Sequence, residues 1–361
     1  MKRLHCGSVM LFATLLCSNA LAQLGQTLKF SVVDLGLMGG VQTAANAINN
    51  NSVVAGDISY SDGSSACFLW STQATITWTS SVQDPKQLKY CNARALDQSG
   101  SVAGTIKVNS SAYPLHAYRR TRSGAMIDLV PPVASQNSYA DGIDPSGSGI
   151  VVGTLDTAYA IEWSSTGSPK ILSKRYARAS AINASGQVVG SALSLNNTID
   201  AWEWAGSTST DLGGLGGYYS VAYAINATGV IVGEAESGSG CIPHYAVWVN
   251  GLPSDGGCGN GLLAISSDGW AVGFNVTAGP DCYPWVNTND ACTGVILVQN
   301  KWCGGIYDLG SLLDSSGVGW TIKHANGIND SHVIAGYGIA PDGKLHAIVL
   351  VPNGYPLCYQ R

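Results

Sequence analysis

Charge is scarce in this chain. Charged residues make up 11% of its 361 residues, and the only glutamates are Glu162, Glu203, Glu234 and Glu236. A chain so poor in charge cannot give many amphipathic helices a solvated face, which excludes a helical bundle as the main architecture. Long apolar runs are missing too: beyond the N-terminus none approaches the about 18 residues of a membrane-crossing helix. No Cys-x-x-Cys pair, Gly-x-Ser-x-Gly elbow, His-Glu-x-x-His helix or phosphate loop occurs. Zinc knuckles, nucleophile elbows, zincin helices and P-loops therefore drop out as readings, and no metal or cofactor is expected. What the chain has in plenty is glycine, 45 residues. That composition suits many short strands joined by tight turns.

The first 22 residues read as a secretory signal: Lys2 and Arg3, an apolar core from Val9 to Leu16, and Ala20-Leu21-Ala22 as the cleavage site. The expected mature chain runs over 23–361, with 16 basic and 23 acidic residues. Such a balance disfavours nucleic acid or an anionic membrane as partner, since both need a concentrated basic face. Arg119-Arg120-Thr121-Arg122 is the nearest approach to one and reads as a solvated strand end. Eight cysteines remain after the signal: Cys67, Cys91, Cys241, Cys258, Cys282, Cys292, Cys303 and Cys358. An even number in an exported chain predicts disulfides, in a connectivity that spacing alone leaves open. The expected location is secreted or periplasmic, with no membrane span after signal removal, and the protein is expected to be a monomer.

One pattern recurs seven times: Ile-Asn-x-x-Gly-x-Val-Val-Gly. Its anchors are Ile48, Leu96, Ile143, Ile182, Ile225, Ile265 and Ile328, spaced 48, 47, 39, 43, 40 and 63 residues apart. Asn, Asp or Ser after the anchor starts a turn by bonding the backbone two residues on, and Gly accepts the positive φ that follows. The β-branched pair forms the returning strand, which the final Gly is expected to end. A third strand, often closing on Trp, and a fourth on Asp-Leu-Gly complete each copy. Four strands per copy predict an all-β fold, a β-propeller of seven four-stranded blades, or six with one degenerate copy. The chain opens on a fourth-strand motif, Asp34-Leu35-Gly36, and closes on a third strand at 346–351. The N-terminal strand is therefore expected to complete the last blade and close the ring.

These motifs carry a resemblance. Asp211-Leu212-Gly213-Gly214-Leu215-Gly216-Gly217, then Ala222 to Gly233, then His244 to Trp248, resemble the repeat of the bacterial extracellular HAF-repeat proteins. The likeness covers nearly all of the mature chain and is tight over 176–250. It implies an exported repeat protein and no particular reaction.

Candidate chemistry is thin. His116, His244 and His346 open third strands and read as structural. The 63-residue spacing marks an insertion around 256–310, rich in cysteine and aromatics. Insertions in repeats map to loops on one face, often the binding face. Trp270, Tyr283, Trp285, Trp302 and Trp320 are accordingly the candidate ligand-contacting residues. The expected function is an exported, non-enzymatic binding or scaffold protein for an extracellular glycan or protein. The alternative is a carbohydrate-active lyase or hydrolase, which requires two or more of Glu162, Glu203, Glu234, Asp141 and His324 to meet in one concave site.

Overall fold

The structure is a computed structural model that describes residues 28–79, 89–108, 114–132, 136–156, 158–238, 243–276, 292–298 and 305–353. Among these residues there is no α-helix, only strands and two short 3-10 turns, Leu309–Leu312 and Ser315–Gly317. Among the described residues no helix is long and apolar enough to cross a membrane.

The strands form four-stranded antiparallel meanders, one per sequence repeat. Sheet 1 is Gln42–Ile48, Val54–Ser59, Ser65–Trp70 and Thr75–Trp78; sheet 2 is Cys91–Leu96, Val102–Lys107, Leu115–Arg120 and Met126–Leu129. Sheet 3 is Ser138–Ile143, Val151–Leu155, Tyr159–Trp163 and Pro169–Ser173; sheet 4 is Arg178–Ile182, Gln187–Leu193, Ile199–Ala205 and Thr208–Gly213. Sheet 5 is Gly216–Ile225, Ile231–Ser237, His244–Val249 and Leu252–Cys258, and a single parallel bridge from Ile199 to Tyr219 merges it with sheet 4. Sheet 6 is Leu262–Ile265, Ala271–Val276, Cys292–Val298 and Gly305–Asp308. Sheet 7 is Thr321–Ile328, Ile334–Ile339 and Leu345–Asn353, and its fourth strand is Lys29–Gly36 from the other end of the chain. The register there runs from Lys29 opposite Asn353 to Gly36 opposite Ala347.

The Val-Val pair of the repeat is explained by burial on both faces. Val151 packs in the core shared with sheet 2, and Val152 in the core shared with sheet 4. Ile231 and Val232 divide in the same way between the cores toward sheets 4 and 6. Side chains alternate across a strand, so a strand covered on both faces reads as a continuous apolar run. First strands of successive sheets touch one another in chain order, and the first strand of sheet 7 touches that of sheet 1.

The turn after each first strand is built as its chemistry requires. Asn226 Oδ1 accepts from the N–H groups of Thr228 and Val230, while its Nδ2 donates to Ser266 O at 3.1 Å in the next sheet. Asn49, Asn183 and Asn329 repeat this, reaching Asp97 O, Asn226 O and Asn49 O. The turn asparagine thus also staples one sheet to its neighbour. Where Asp97 or Asp144 replaces it, the amide donor is lost. The left-handed position is glycine in five copies; Ser52 (φ 55°) and His332 (φ 57°) take it in the first and last. His332 is held there by Asp268 at 2.9 Å and by the Trp270 ring at 4.0 Å.

Two expectations are corrected. The last Gly of the repeat does not end its strand. Gly190 lies inside Gln187–Leu193, where a Cβ would stand 1.9 Å from Arg178 O, and the other six copies are equally tight. Glycine is there because the first two strands approach too closely for any side chain. Arg119 and Arg120 are not a solvated strand end. Arg119 is buried and donates to Gly149 O and Ser165 O of sheet 3, while the Arg120 guanidinium stacks 4.6 Å from the Trp78 ring centre.

Candidate functional site

Every first strand carries a β-bulge at the same place. The register slips between Ala45 and Ala47, Ala93 and Ala95, Ala140 and Gly142, Ala179 and Ala181, Ala222 and Ala224, Leu262 and Ala264, and Ala325 and Gly327. The extra residue is Asn46, Arg94, Asp141, Ser180, Tyr223, Leu263 or Asn326. Its N-terminal neighbour is buried in all seven sheets, while the bulged residue itself is half-buried or exposed. A bulge leaves one residue unpaired and re-aims its side chain. The flanks are Ala or Gly apart from Leu262, whereas the re-aimed position takes six different residue types over the seven sheets.

Several of these side chains join across sheets. Asn326 Nδ2 donates to Ala45 O, and Asn46 Nδ2 donates to Ala93 O, both at 2.9 Å. Arg94 Nε lies 3.9 Å from Asp141 Oδ1. A polar band thus runs from sheet 7 through sheets 1 and 2 to sheet 3.

Two buried acids share one repeat position, the residue after the strand-interior Gly: Asp57 in sheet 1, beside the band, and Glu234 in sheet 5. Asp57 accepts from Asn46 Nδ2, Asn92 Nδ2 and Ala93 N, each at 2.7 Å. Burial pushes its carboxyl up to about 7 against the pull of those donors. Glu234 Oε1 accepts from the hydroxyls of Tyr223 (2.9 Å) and Tyr219 (3.0 Å), and burial raises its carboxyl too. At the same position Phe274 and Tyr337 sandwich His324, at 4.3 and 4.9 Å between ring centres.

The anticipated residues fall as follows. Trp270 is 1% exposed and stacks on His332; Trp320 is half-buried, edge-on to His346 at 6.0 Å. Tyr283, Trp285 and Trp302 lie outside the described residues. Cys67 and Cys91 form a disulfide linking sheets 1 and 2, and Cys258 and Cys292 are each disulfide-bonded. Cys241, Cys282, Cys303 and Cys358 lie outside the described residues.

The repeated histidines bond to the aspartate of the fourth strand: His116 to Asp128, His244 to Asp255 and His346 to Asp34, at 2.8–2.9 Å. Among the acids weighed for catalysis, Glu162 lies 4.0 Å from Lys170 and Glu203 accepts from Gln187. Asp141 faces Arg94 and Glu234 the two tyrosines, so each of the four has a different partner. Among the described residues no group of three or more His, Cys, Asp or Glu could hold a metal ion. The bulge position and Asp57 escaped the sequence reading. Their signal was present: a varied residue between mostly small ones, and an acid directly after a fixed Gly.

No family model matches the chain, and no curated protein does. Among solved structures it is similar to TolB from Acinetobacter baumannii, at 12% identity and a TM-score of 0.41, over 91% of this chain and 80% of that one. It is also similar to a puromycin-hydrolyzing peptidase of Mycobacterium tuberculosis, at 11% identity and a TM-score of 0.48, over 90% of this chain and 54% of that one. A structural genomics protein of unknown function from Bacteroides thetaiotaomicron is similar at 9% identity and a TM-score of 0.44, over 91% and 77% of the two chains. Likenesses of this size carry no functional argument.

Proposed function

We propose that this is an exported, non-enzymatic binding protein of the HAF-repeat type, a seven-bladed β-propeller closed by its N-terminal strand, which recognises a glycan or protein outside the cytoplasm. One observation carries the binding reading. Seven equivalent bulges present Asn, Arg, Asp, Ser, Tyr, Leu and Asn between flanks that are Ala or Gly except at Leu262. A position needed only for the fold would repeat its residue as its flanks do. Closure is supported by the Lys29–Gly36 pairing and by the Asn329-to-Asn49 bond between the last and first sheets. The Cys67–Cys91 disulfide supports export to an oxidising compartment.

A glycan and polysaccharide screen of the oxidised protein, run with a product assay, tests this. Loss of binding in Arg94→Ala and Leu263→Ser, with an unchanged unfolding midpoint, is the expected result. Loss in Trp285→Ala or Trp302→Ala instead would place the site on the 256–310 insertion. Turnover of any bound ligand would refute the non-enzymatic reading.

A further inference from the structure

Three of the most exposed apolar side chains lie together. Leu195 is 84% exposed, Tyr218 82% and Tyr176 63%. All three sit at the end of sheets 4 and 5 where the chain crosses from one sheet to the next. Tyr176 lies in the crossover into sheet 4, Tyr218 is the third residue of the first strand of sheet 5, and Leu195 lies in the turn between the second and third strands of sheet 4.

Hydrogen bonds tie the three segments into one surface. Leu193 N donates to Arg175 O at 2.7 Å, and the Arg175 guanidinium donates to Leu193 O and Ser194 O. On its other side the turn leads to Ile199, which is bridged to Tyr219. Leu195 therefore stands between the two tyrosines.

Tyr176 is pinned. It takes φ 49°, a conformation a bulky side chain rarely adopts. Its neighbours hold it there: Arg175 is clamped to the turn, and Ala177 N donates to Ala158 O at 2.9 Å. Tyr218 is fixed by its N–H, which donates to Glu236 Oε2 at 3.1 Å. Backbone strain that displays an aromatic ring to solvent, rather than burying it, points to a use for the ring.

The flank of this strip is basic. Lys174, Arg175 and Arg178 are exposed within five residues of a chain whose net charge is −5. Neither Lys174 nor Arg178 has an ion-pair partner among the described residues. The nearby acids Glu236 and Asp200 accept hydrogen bonds from Tyr218 N and Thr198 Oγ1 and pair with neither cation.

We infer that this strip binds an acidic polysaccharide, a chain of uronate residues. The rings of Tyr176 and Tyr218 offer flat apolar faces, with the apolar Leu195 between them, which suit sugar rings. Lys174 and Arg178 complement carboxylates along one side of such a chain. Nucleic acid fits poorly, because three cations on an acidic protein release too few counterions. The inference rests on the binding reading above, but on none of its bulge residues.

The test uses the oxidised full chain on immobilised polygalacturonate, methyl-esterified polygalacturonate and polyglutamate. The esterified polymer keeps the rings and removes the charge; polyglutamate does the reverse. Retention on polygalacturonate alone is expected. Tyr176→Ala with Tyr218→Ala, and Lys174→Glu with Arg178→Glu, should each weaken it by about tenfold or more with the unfolding midpoint unchanged. If polygalacturonate is not retained while another screened glycan binds and is lost in Arg94→Ala, this inference fails and the bulge reading stands. Equal retention on polyglutamate, no retention on polygalacturonate, or indifference to the tyrosine pair would overturn the inference.

Discussion

Replacing Gly190 by alanine tests why the repeat ends on glycine. Gly190 faces Ala179 in the middle of its strand. An added Cβ would lie 1.9 Å from Arg178 O, 2.9 Å from Arg178 C and 3.1 Å from Ala179 Cα. Non-bonded carbon and oxygen rest at about 3.3 Å or more. The strands must therefore part by more than an ångström, and the obstacle is backbone with no rotamer to turn aside. Overpacking of this kind costs about 1–3 kcal/mol. One or two ladder hydrogen bonds are lost as well, at about 1 kcal/mol each. Lower entropy of the unfolded alanine chain offsets up to about 1 kcal/mol. The net expectation for Gly190→Ala is a loss of about 2–4 kcal/mol. Gly186→Ala in the same hairpin is the control: it meets nothing within 4 Å but must hold φ 77°. That left-handed placement costs about 1–2 kcal/mol. Equilibrium unfolding in urea of the two variants and the parent decides between them. If Gly190→Ala proved no more damaging than Gly186→Ala, close strand approach would not be the reason for the glycine.

Asp57 makes stability depend on pH. Its folded carboxyl titrates at about 7, above its ordinary 3.8, so the protonated form is favoured in the fold. The group's contribution is full below about pH 4 and is lost as pH rises through 7, by up to about 4 kcal/mol. Asp57→Asn should flatten that part of the profile in urea unfolding between pH 5 and 8; an unchanged slope would count against it. Reducing Cys67–Cys91, which are 24 residues apart, should remove about 3.5 kcal/mol by freeing the unfolded chain. Unfolding with and without dithiothreitol, in a variant lacking the other cysteines, measures it. Asn329→Ala should cost about 1–3 kcal/mol, because Nδ2 bonds Asn49 O and Oδ1 holds its own turn. A double-mutant cycle with Ser52→Ala should show coupling between the last and first sheets, and additivity would contradict the stapling role.

The regular part of the fold was legible because it repeats. Ile225-Asn226 to Gly233 shows its strand, turn and return in its own residue types, and seven weaker or stronger copies multiply that signal. The fourth-strand motif at Asp34-Leu35-Gly36 likewise announced its pairing with 346–351. The aromatic group was read less well. Trp270 looked like a loop residue because it follows a turn, yet it stacks on His332 from a hairpin 62 residues later in the chain. Arg119 and Arg120 looked solvated for the same reason: their partners, Gly149, Ser165 and Trp78, belong to other repeats or other strands.

By itself the sequence determined the strand content, the turn chemistry and the number of repeats, since each depends on residues within ten positions of one another. Only the tertiary structure decided what those strands share. A bulge is a mismatch between two strands, so no single strand reveals that Asn46, Arg94 and Asp141 are re-aimed. The burial that raises Asp57, the staple from Asn329 to Asn49, and the strip of Tyr176, Leu195 and Tyr218 all arise between sheets. Local pattern sets which segments become strands; long-range packing sets which of their side chains meet.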